Sequence, residues 1–169
     1  NGNGFKVILG TPAPAKPKTG LIGGVFAGAR GDGESPSSIM AGQASSALQA
    51  HGYHLLFASS DLRLDRELRT IRDILDKGVD GLVVVPVYRK QPDRFEFEEH
   101  GNHAGLLRLR ESGIPIVLAD RSYAASGIPC VCNDDEAGGY LAAKYLLDRG
   151  HRQLLVYMGA WDRVGRQRI

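Results

Sequence analysis

The sequence predicts an α/β chain built on a doubly wound parallel sheet. Three observations point there. From residue 20 onward, short apolar runs alternate with amphipathic helical stretches, the pattern of strands joined by helical crossovers. The run Leu82-Val83-Val84-Val85 is apolar on both faces, which suits a central parallel strand and not an edge. The helical stretches close on Gly52, Gly78 and Gly150, each followed by another apolar run, so the turns are short. Right-handed crossovers then put helices on both faces of the sheet.

The elements follow in order. Leu21-Ile22-Gly23-Gly24-Val25-Phe26 is the first strand. A loop containing Gly28, Gly31 and Gly33 leads to Ser35, a good helix cap, with Pro36 at the first helical position. That helix runs to about His51, and residues 53–58 form the second strand. Ser59, Ser60 and Asp61 make a polar junction, and Asp61 is a candidate cap for the next helix. There Leu64, Leu68, Ile71 and Leu75 recur at helical steps, while Arg63, Asp65, Arg66 and Glu67 face elsewhere. After the third strand, residues 88–105 form a long polar insertion, followed by a short helix through Leu106, Leu107 and Leu109. Residues 114–119 are the fourth strand and residues 129–132 the fifth. Asn133 is the expected cap of the last helix, whose first turn carries Asp134, Asp135 and Glu136 against the positive end of the helix dipole. Leu154-Leu155-Val156-Tyr157-Met158 reads as one more strand.

The bulk composition excludes several classes. A chain of 169 residues, 43% hydrophobic and 24% charged, can bury a sizeable core and is not disordered. A net charge of +2 makes no case for nucleic acid, and the arginines alternate with acids in Asp61-Leu62-Arg63-Leu64-Asp65-Arg66-Glu67, as on a solvated helix face. Cys130 and Cys132 would share one side of a strand, too close in sequence for an ordinary structural disulfide. They read as small buried thiols in a reduced compartment. His100 and His103 are a loose pair, so no metal or other cofactor is expected. No apolar run is long enough to cross a bilayer and no signal peptide is visible. The chain starts without a Met and ends inside a motif, so both ends are expected to be cut. Residues 11–19 are rich in Pro and Lys and read as an extended linker.

In a doubly wound sheet, ligands bind beyond the carboxyl ends of the strands. That rule selects residues 28–37, 59–61, 87–89 and 120–123, together with Asn133.

Four segments in the right order carry a resemblance. They are Gly52-Tyr53-His54-Leu55-Leu56-Phe57-Ala58-Ser59-Ser60-Asp61, Val79-Asp80-Gly81-Leu82-Val83-Val84-Val85-Pro86, Gly113-Ile114-Pro115-Ile116-Val117-Leu118-Ala119-Asp120-Arg121, and the stretch from Asn133 to Arg152 with its Gly138-Gly139 pair and Gly150-His151-Arg152 ending. Together they resemble the LacI/GalR-type sensor domains of transcriptional regulators, which have a two-lobed, periplasmic-binding-protein-like fold. The resemblance implies that residues 20–132 are the first lobe, and that residues 133–169 are the crossover and the start of an incomplete second lobe. The insertion before Gly113 and the Ser122-Tyr123 pair look like the arabinose-repressor branch, which joins a GntR-type winged helix to this sensor. Gly2-Asn3-Gly4-Phe5-Lys6-Val7 resembles the end of such a wing, so residues 1–19 are expected to be the end of a DNA-binding domain and its linker.

The resemblance also implies site residues. Asp120 matches the carboxylate at the end of the fourth strand that bonds ligand hydroxyls, a role an ionised Asp can fill twice over; otherwise it caps the following turn. Arg168 matches an arginine contact of the second lobe, where a guanidinium fork can bond vicinal hydroxyls. Ser37 and Ser38 stand where the family places contacts at the start of the first helix, without the usual aromatic. Stacking against a sugar ring would then fall to Tyr88 or Trp161. Ser59, Asp61 and Asn133 complete the polar candidates.

The expected function is therefore that of the effector-binding domain of a cytoplasmic transcriptional regulator. A small molecule, most simply a sugar, would sit between the lobes, and its binding would change how a homodimer presents DNA-binding heads carried elsewhere. With only the start of a second lobe, the fragment is expected to bind sugar weakly or not at all. The alternative is a periplasmic sugar-binding protein of a transport system, which shares the fold. Catalysis is not expected: there is no G-x-G-x-x-G after the first strand, no P-loop and no G-x-S-x-G elbow.

Overall fold

The computed structural model describes residues 18–28, 35–90, 97–98, 101–121, 123 and 126–156. In chain order they form β1 (Leu21–Phe26), α1 (Pro36–Gln49), β2 (His54–Ser59), α2 (Leu64–Leu75), β3 (Gly81–Val84), β4 (Arg89–Lys90), β5 (Phe97–Glu98), α3 (His103–Glu111), β6 (Ile116–Ala119), β7 (Cys130–Val131) and α4 (Asp135–Asp148).

Five of these strands form one parallel sheet in the order β2-β1-β3-β6-β7. The chain winds outward from β1 to β2, then crosses back to β3 and onward. The winding direction therefore reverses beside β1, and a crevice opens between the carboxyl ends of β1 and β3. β4 and β5 pair antiparallel as a separate hairpin within the insertion.

Side-chain alternation along the strands divides the core in two. On one face Val25, Leu82, Val84, Ile116 and Leu118 pack with Ile71 and Ile74 of α2 and Leu106 of α3. On the other, Phe26, Val85 and Val87 pack with Ala41 of α1, and Leu55, Val83 and Ala119 lie alongside. Two glycines in β1 bring these layers close. A methyl group on Gly23 would stand 2.3 Å from Ile74 Cγ2, and one on Gly24 would stand 2.8 Å from Phe26 Cε2.

The terminal capping agrees with the sequence at α1, where the Ser35 hydroxyl accepts the Ser38 N–H and Pro36 opens the helix. At α4 it differs. The cap is Asp134, whose Oδ1 accepts the Ala137 N–H at 2.9 Å; Asn133 lies one residue outside. Either residue type can cap, and the helix starts one residue later than expected. Asp61 is not a cap either. α2 begins after Arg63 without a side-chain cap, and Asp61 and Leu62 instead take left-handed backbone angles of φ 51° and 59°.

Two further expectations fail at the surface. Leu154, Leu155 and Val156 form no strand, and Leu155 is 95% exposed. A strand needs a neighbour to accept its backbone hydrogen bonds, and among the described residues no strand pairs with this segment. Cys132 is exposed and only Cys130 is half-buried, because β7 ends at the sheet edge before Cys132 is reached. α4 buries only Asp135 and leaves Tyr140, Leu141, Tyr145 and Leu147 exposed. The wing-like segment of residues 2–7 and most of the linker lie outside the described residues.

Candidate functional site

The carboxyl ends of the strands gather the polar residues. After β1, the Ala27 carbonyl accepts the Ser37 hydroxyl at 3.1 Å, so Ser37 is buried and joins the first turn of α1 to the strand end. Ser38, beside it, exchanges a hydrogen bond of 2.8 Å with the Ser35 hydroxyl. After β2, the Phe26 carbonyl accepts the Ser60 N–H at 3.0 Å, which ties the β2 end to the β1 end. Ser59 donates to Asp61 Oδ1 at 2.8 Å, and Arg66 pairs with the other oxygen of that carboxylate.

Asp120 lies at the end of β6. Its N–H donates to the Val131 carbonyl at 2.9 Å, and its backbone then turns into the left-handed region at φ 65°. Asp tolerates that region better than most residues, and non-glycine residues held there concentrate at functional sites. The carboxylate is about one-third exposed and stands 3.5 Å from Arg121 Nε. Arg121 reaches back to the Pro86 carbonyl at 3.5 Å and lies over the Tyr88 ring, 5.6 Å from its centre. The Tyr88 ring meets Tyr123 edge-on at 5.9 Å. Asp120, Arg121 and Tyr88 thus form one corner: a carboxylate, a guanidinium and an aromatic ring between the ends of β3 and β6. Such a corner can accept from and donate to hydroxyls while offering a ring face to an apolar sugar surface.

Under this corner lies a buried acid. Glu67 of α2 has no exposed surface; its Oε2 accepts the Val87 N–H and its Oε1 accepts the Asn102 side-chain amide at 3.0 Å. Burial pushes its carboxyl above the usual range, against the pull of Asn102, Val87 and the Arg121 charge. Tyr123 is buried too, its hydroxyl close to the Asn102 backbone N–H but outside hydrogen-bond geometry. Burial and then the nearby Glu67 charge push its phenol well upward. At the sheet edge the Cys130 thiol is pushed up to about 11 by burial and by its neighbour Cys132.

Of the sequence-predicted residues, the structure brings Asp120 and Tyr88 together through Arg121, and Ser59 and Asp61 at the β2 end. Ser37 faces inward, Asn133 is exposed beyond β7, and Trp161 and Arg168 lie outside the described residues. Sequence reasoning placed Glu67 with Arg63, Asp65 and Arg66 on the solvated face of its helix, and the structure corrects this: those three are exposed, whereas Glu67 is buried beside Ile71 and Ile74, four and seven residues on along the same helix face. Arg121 and Tyr123 were within the stretch that the sheet rule selects, and Arg121 follows Asp120 directly. Among the described residues no group of three His, Cys, Asp or Glu side chains is placed to hold a metal ion.

Residues 37–163 match the family model of periplasmic binding proteins and the sugar binding domain of the LacI family. The chain belongs to this family. An arabinose metabolism transcriptional repressor from Halalkalibacterium halodurans is 32% identical over 132 residues, which is 78% of this chain and 33% of the relative. A second arabinose metabolism transcriptional repressor, from Geobacillus stearothermophilus, is 30% identical over 72% of this chain and 32% of its own length. The chain thus spans about a third of the length of the curated relatives it matches. The Cra transcriptional dual regulator of Pseudomonas putida, solved with fructose 1-phosphate, shares the fold with a TM-score of 0.64 and 23% identity, over 89% of this chain and 51% of that one. A transporter solute-binding protein from Mycobacterium smegmatis, solved with glycerol, shares it with a TM-score of 0.66 and 24% identity, over 88% and 48%. These relatives and neighbours are regulators and binding proteins. The matched family is that of the LacI sensors; the GntR label, which rested on residues 2–7, the Pro/Lys linker, the insertion before Gly113 and the Ser122-Tyr123 pair, is not the family that the match gives. No helix among the described residues is long and apolar enough to cross a membrane.

Proposed function

We propose that this chain is the effector-binding portion of a transcriptional regulator, and that residues 20–132 are one wall of a sugar-binding cleft. Asp120 accepts ligand hydroxyls, Tyr88 offers its ring, and Ser59, Asp61, Ser38 and Ser37 line the neighbouring strand ends. Asn133 stands at the crossover, and Trp161 and Arg168 belong to the opposite wall, which residues 133–169 begin. Ligand shifts the closure of the two lobes in a cytoplasmic homodimer, and DNA is held through a separate domain. The role is binding, not catalysis.

The observation that carries this reading is the Asp120–Arg121–Tyr88 corner, at the carboxyl edge of a doubly wound sheet in a chain of this family. The regulator is favoured over the transport protein because the relatives at 30% identity or above are named as repressors.

The test is an amide-resolved NMR titration of residues 1–169 with L-arabinose, D-ribose and D-fructose 1-phosphate. One wall supplies only part of the contacts, so affinity is expected at about 1 mM or weaker, worth about 4 kcal/mol. Shifts should cluster at Ser38, Ser59, Tyr88 and Asp120, and Asp120→Ala should remove them. Shifts at the opposite edge of the sheet, or tight stoichiometric binding by calorimetry, would contradict the one-wall reading.

A further inference from the structure

Val87, three residues past the end of β3, precedes the insertion, and Asn102 stands where the chain enters α3. Both of these flanking residues bond to one side chain. Glu67 Oε2 accepts the Val87 N–H, and Oε1 accepts the Asn102 amide at 3.0 Å, while the same amide donates to the Leu64 carbonyl at 2.9 Å. The two ends of the insertion are in close contact: a methyl group on Gly101 would stand 2.6 Å from the Val87 carbonyl and 3.1 Å from the Tyr123 hydroxyl. One fully buried carboxylate on α2 therefore closes a loop that belongs to neither α2 nor its own strand. The first residue past this closure is Tyr88, and the group over its ring is Arg121.

We propose that Glu67 is a positioning residue for the candidate site: by holding Val87 and Asn102 together it fixes Tyr88, and through Tyr88 and Tyr123 it fixes Arg121, at the carboxyl edge. The proposal rests on the reading of that edge as the ligand wall, yet it concerns a geometry that can be measured without ligand.

The chemistry gives it a signature. An ionised carboxylate only accepts, so it can satisfy both donors at once. Once protonated, one oxygen carries its own hydrogen and becomes a poorer acceptor, so it holds its N–H more weakly. Burial favours the neutral form, so this weakening comes at a higher pH than for a solvated glutamate. The ionisable groups that act on the carboxylate are Arg121 and Tyr123 after β6, and against Tyr123 pack Tyr88 after β3 and His103 on α3, which stacks on it at 4.9 Å.

The experiment is a pH titration of the 169-residue chain by NMR, following the Val87 amide, the Tyr88 and Tyr123 rings and Arg121 Nε. All four should move in one step with a shared midpoint above the ordinary glutamate range. The step should vanish in Glu67→Gln and persist in His103→Gln. Glu67→Gln keeps the shape but offers one acceptor to two donors, so hydrogen exchange at Val87 should speed up at least tenfold while Val84 and Ile71 keep their protection. If the Tyr88 and Arg121 signals neither titrate with Val87 nor change in Glu67→Gln, the carboxylate is only a local brace and the proposal is wrong. It is equally wrong if the step follows His103, or if core protection is lost along with that of Val87. Should Glu67→Gln not fold, the shared midpoint in the unaltered chain still decides. Sugar-induced shifts confined to the opposite edge of the sheet would sink the functional reading and leave this result standing.

Discussion

Gly23 is the position where one methyl group should have the largest structural consequence. It lies in β1, paired with Leu56 of β2 and Leu82 of β3, directly under α2. A Cβ there would stand 2.3 Å from Ile74 Cγ2 and 2.8 Å from Leu82 Cδ2. Carbon atoms in contact prefer about 3.5–4.0 Å, so α2 or β1 must give by about 1.2 Å or more. Leu82 can turn its terminal methyl aside, but Cγ2 of Ile74 is fixed close to the helix backbone. Overpacking of this kind costs about 1–3 kcal/mol. The alanine gains about 0.4–1 kcal/mol from a stiffer unfolded chain, which is too little to reverse the sign. Ile74→Ala alone should cost about 2–5 kcal/mol through its cavity. Together the two changes should relieve each other, because the new methyl fills part of the vacated space. The double variant should then cost about as much as Ile74→Ala alone, leaving a coupling equal to the net cost of Gly23→Ala, about 1 kcal/mol. Urea unfolding followed by far-UV circular dichroism, with the four proteins sharing one m-value, measures this. A Gly23→Ala protein as stable as its parent, or costs that add to within about 0.5 kcal/mol, would refute the close-packing argument.

Leu106, fully buried between α3 and the sheet, should lose about 2–5 kcal/mol on truncation to alanine in the same assay. Asp134→Ala should destabilise the start of α4 by about 1 kcal/mol, seen as faster exchange of the Ala137 amide, whereas Asn133→Ala should leave that amide unchanged. Asp80 grips the chain where it enters β1, accepting the Thr19 N–H at 2.9 Å and the Gly20 N–H at 2.9 Å. Lys16 precedes Pro17, so Lys18–Thr19 is the trypsin-sensitive bond where the chain enters this grip. Asp80→Ala should speed cleavage there while cleavage at Lys6–Val7 stays the same. These bonds, the Thr19 N–H first, hold the Asp80 carboxyl below its usual range. Their stabilisation is therefore present above the ordinary carboxylate range and lost as pH falls through the lowered value; the Thr19 and Gly20 amide signals should collapse only there.

What the sequence made legible was whatever depends on local chemistry or on periodicity. β1 falls on the predicted Leu21–Phe26, α1 begins at the predicted Ser35 cap, and the too-apolar run around Val83 is indeed interior, between β1 and β6. The strand-end rule also led to Asp120 without any knowledge of its left-handed backbone. The misreadings differ in cause. Leu154, Leu155 and Val156 have the composition of a strand, but composition supplies no hydrogen-bonding partner. Glu67 is the sharper case. By residue type it should face water, but on a helical wheel it stands four residues before Ile71 and seven before Ile74, on the apolar stripe and away from Asp65. That a carboxylate is tolerated at such a position becomes intelligible only when residues 20 and 35 positions further along bring two donors to it. A buried acid survives where the fold supplies hydrogen bonds that water would otherwise make, and here those donors flank the one long insertion in the chain. The residue that least fits its helix's amphipathic pattern is thus the one that joins the helix to the candidate site.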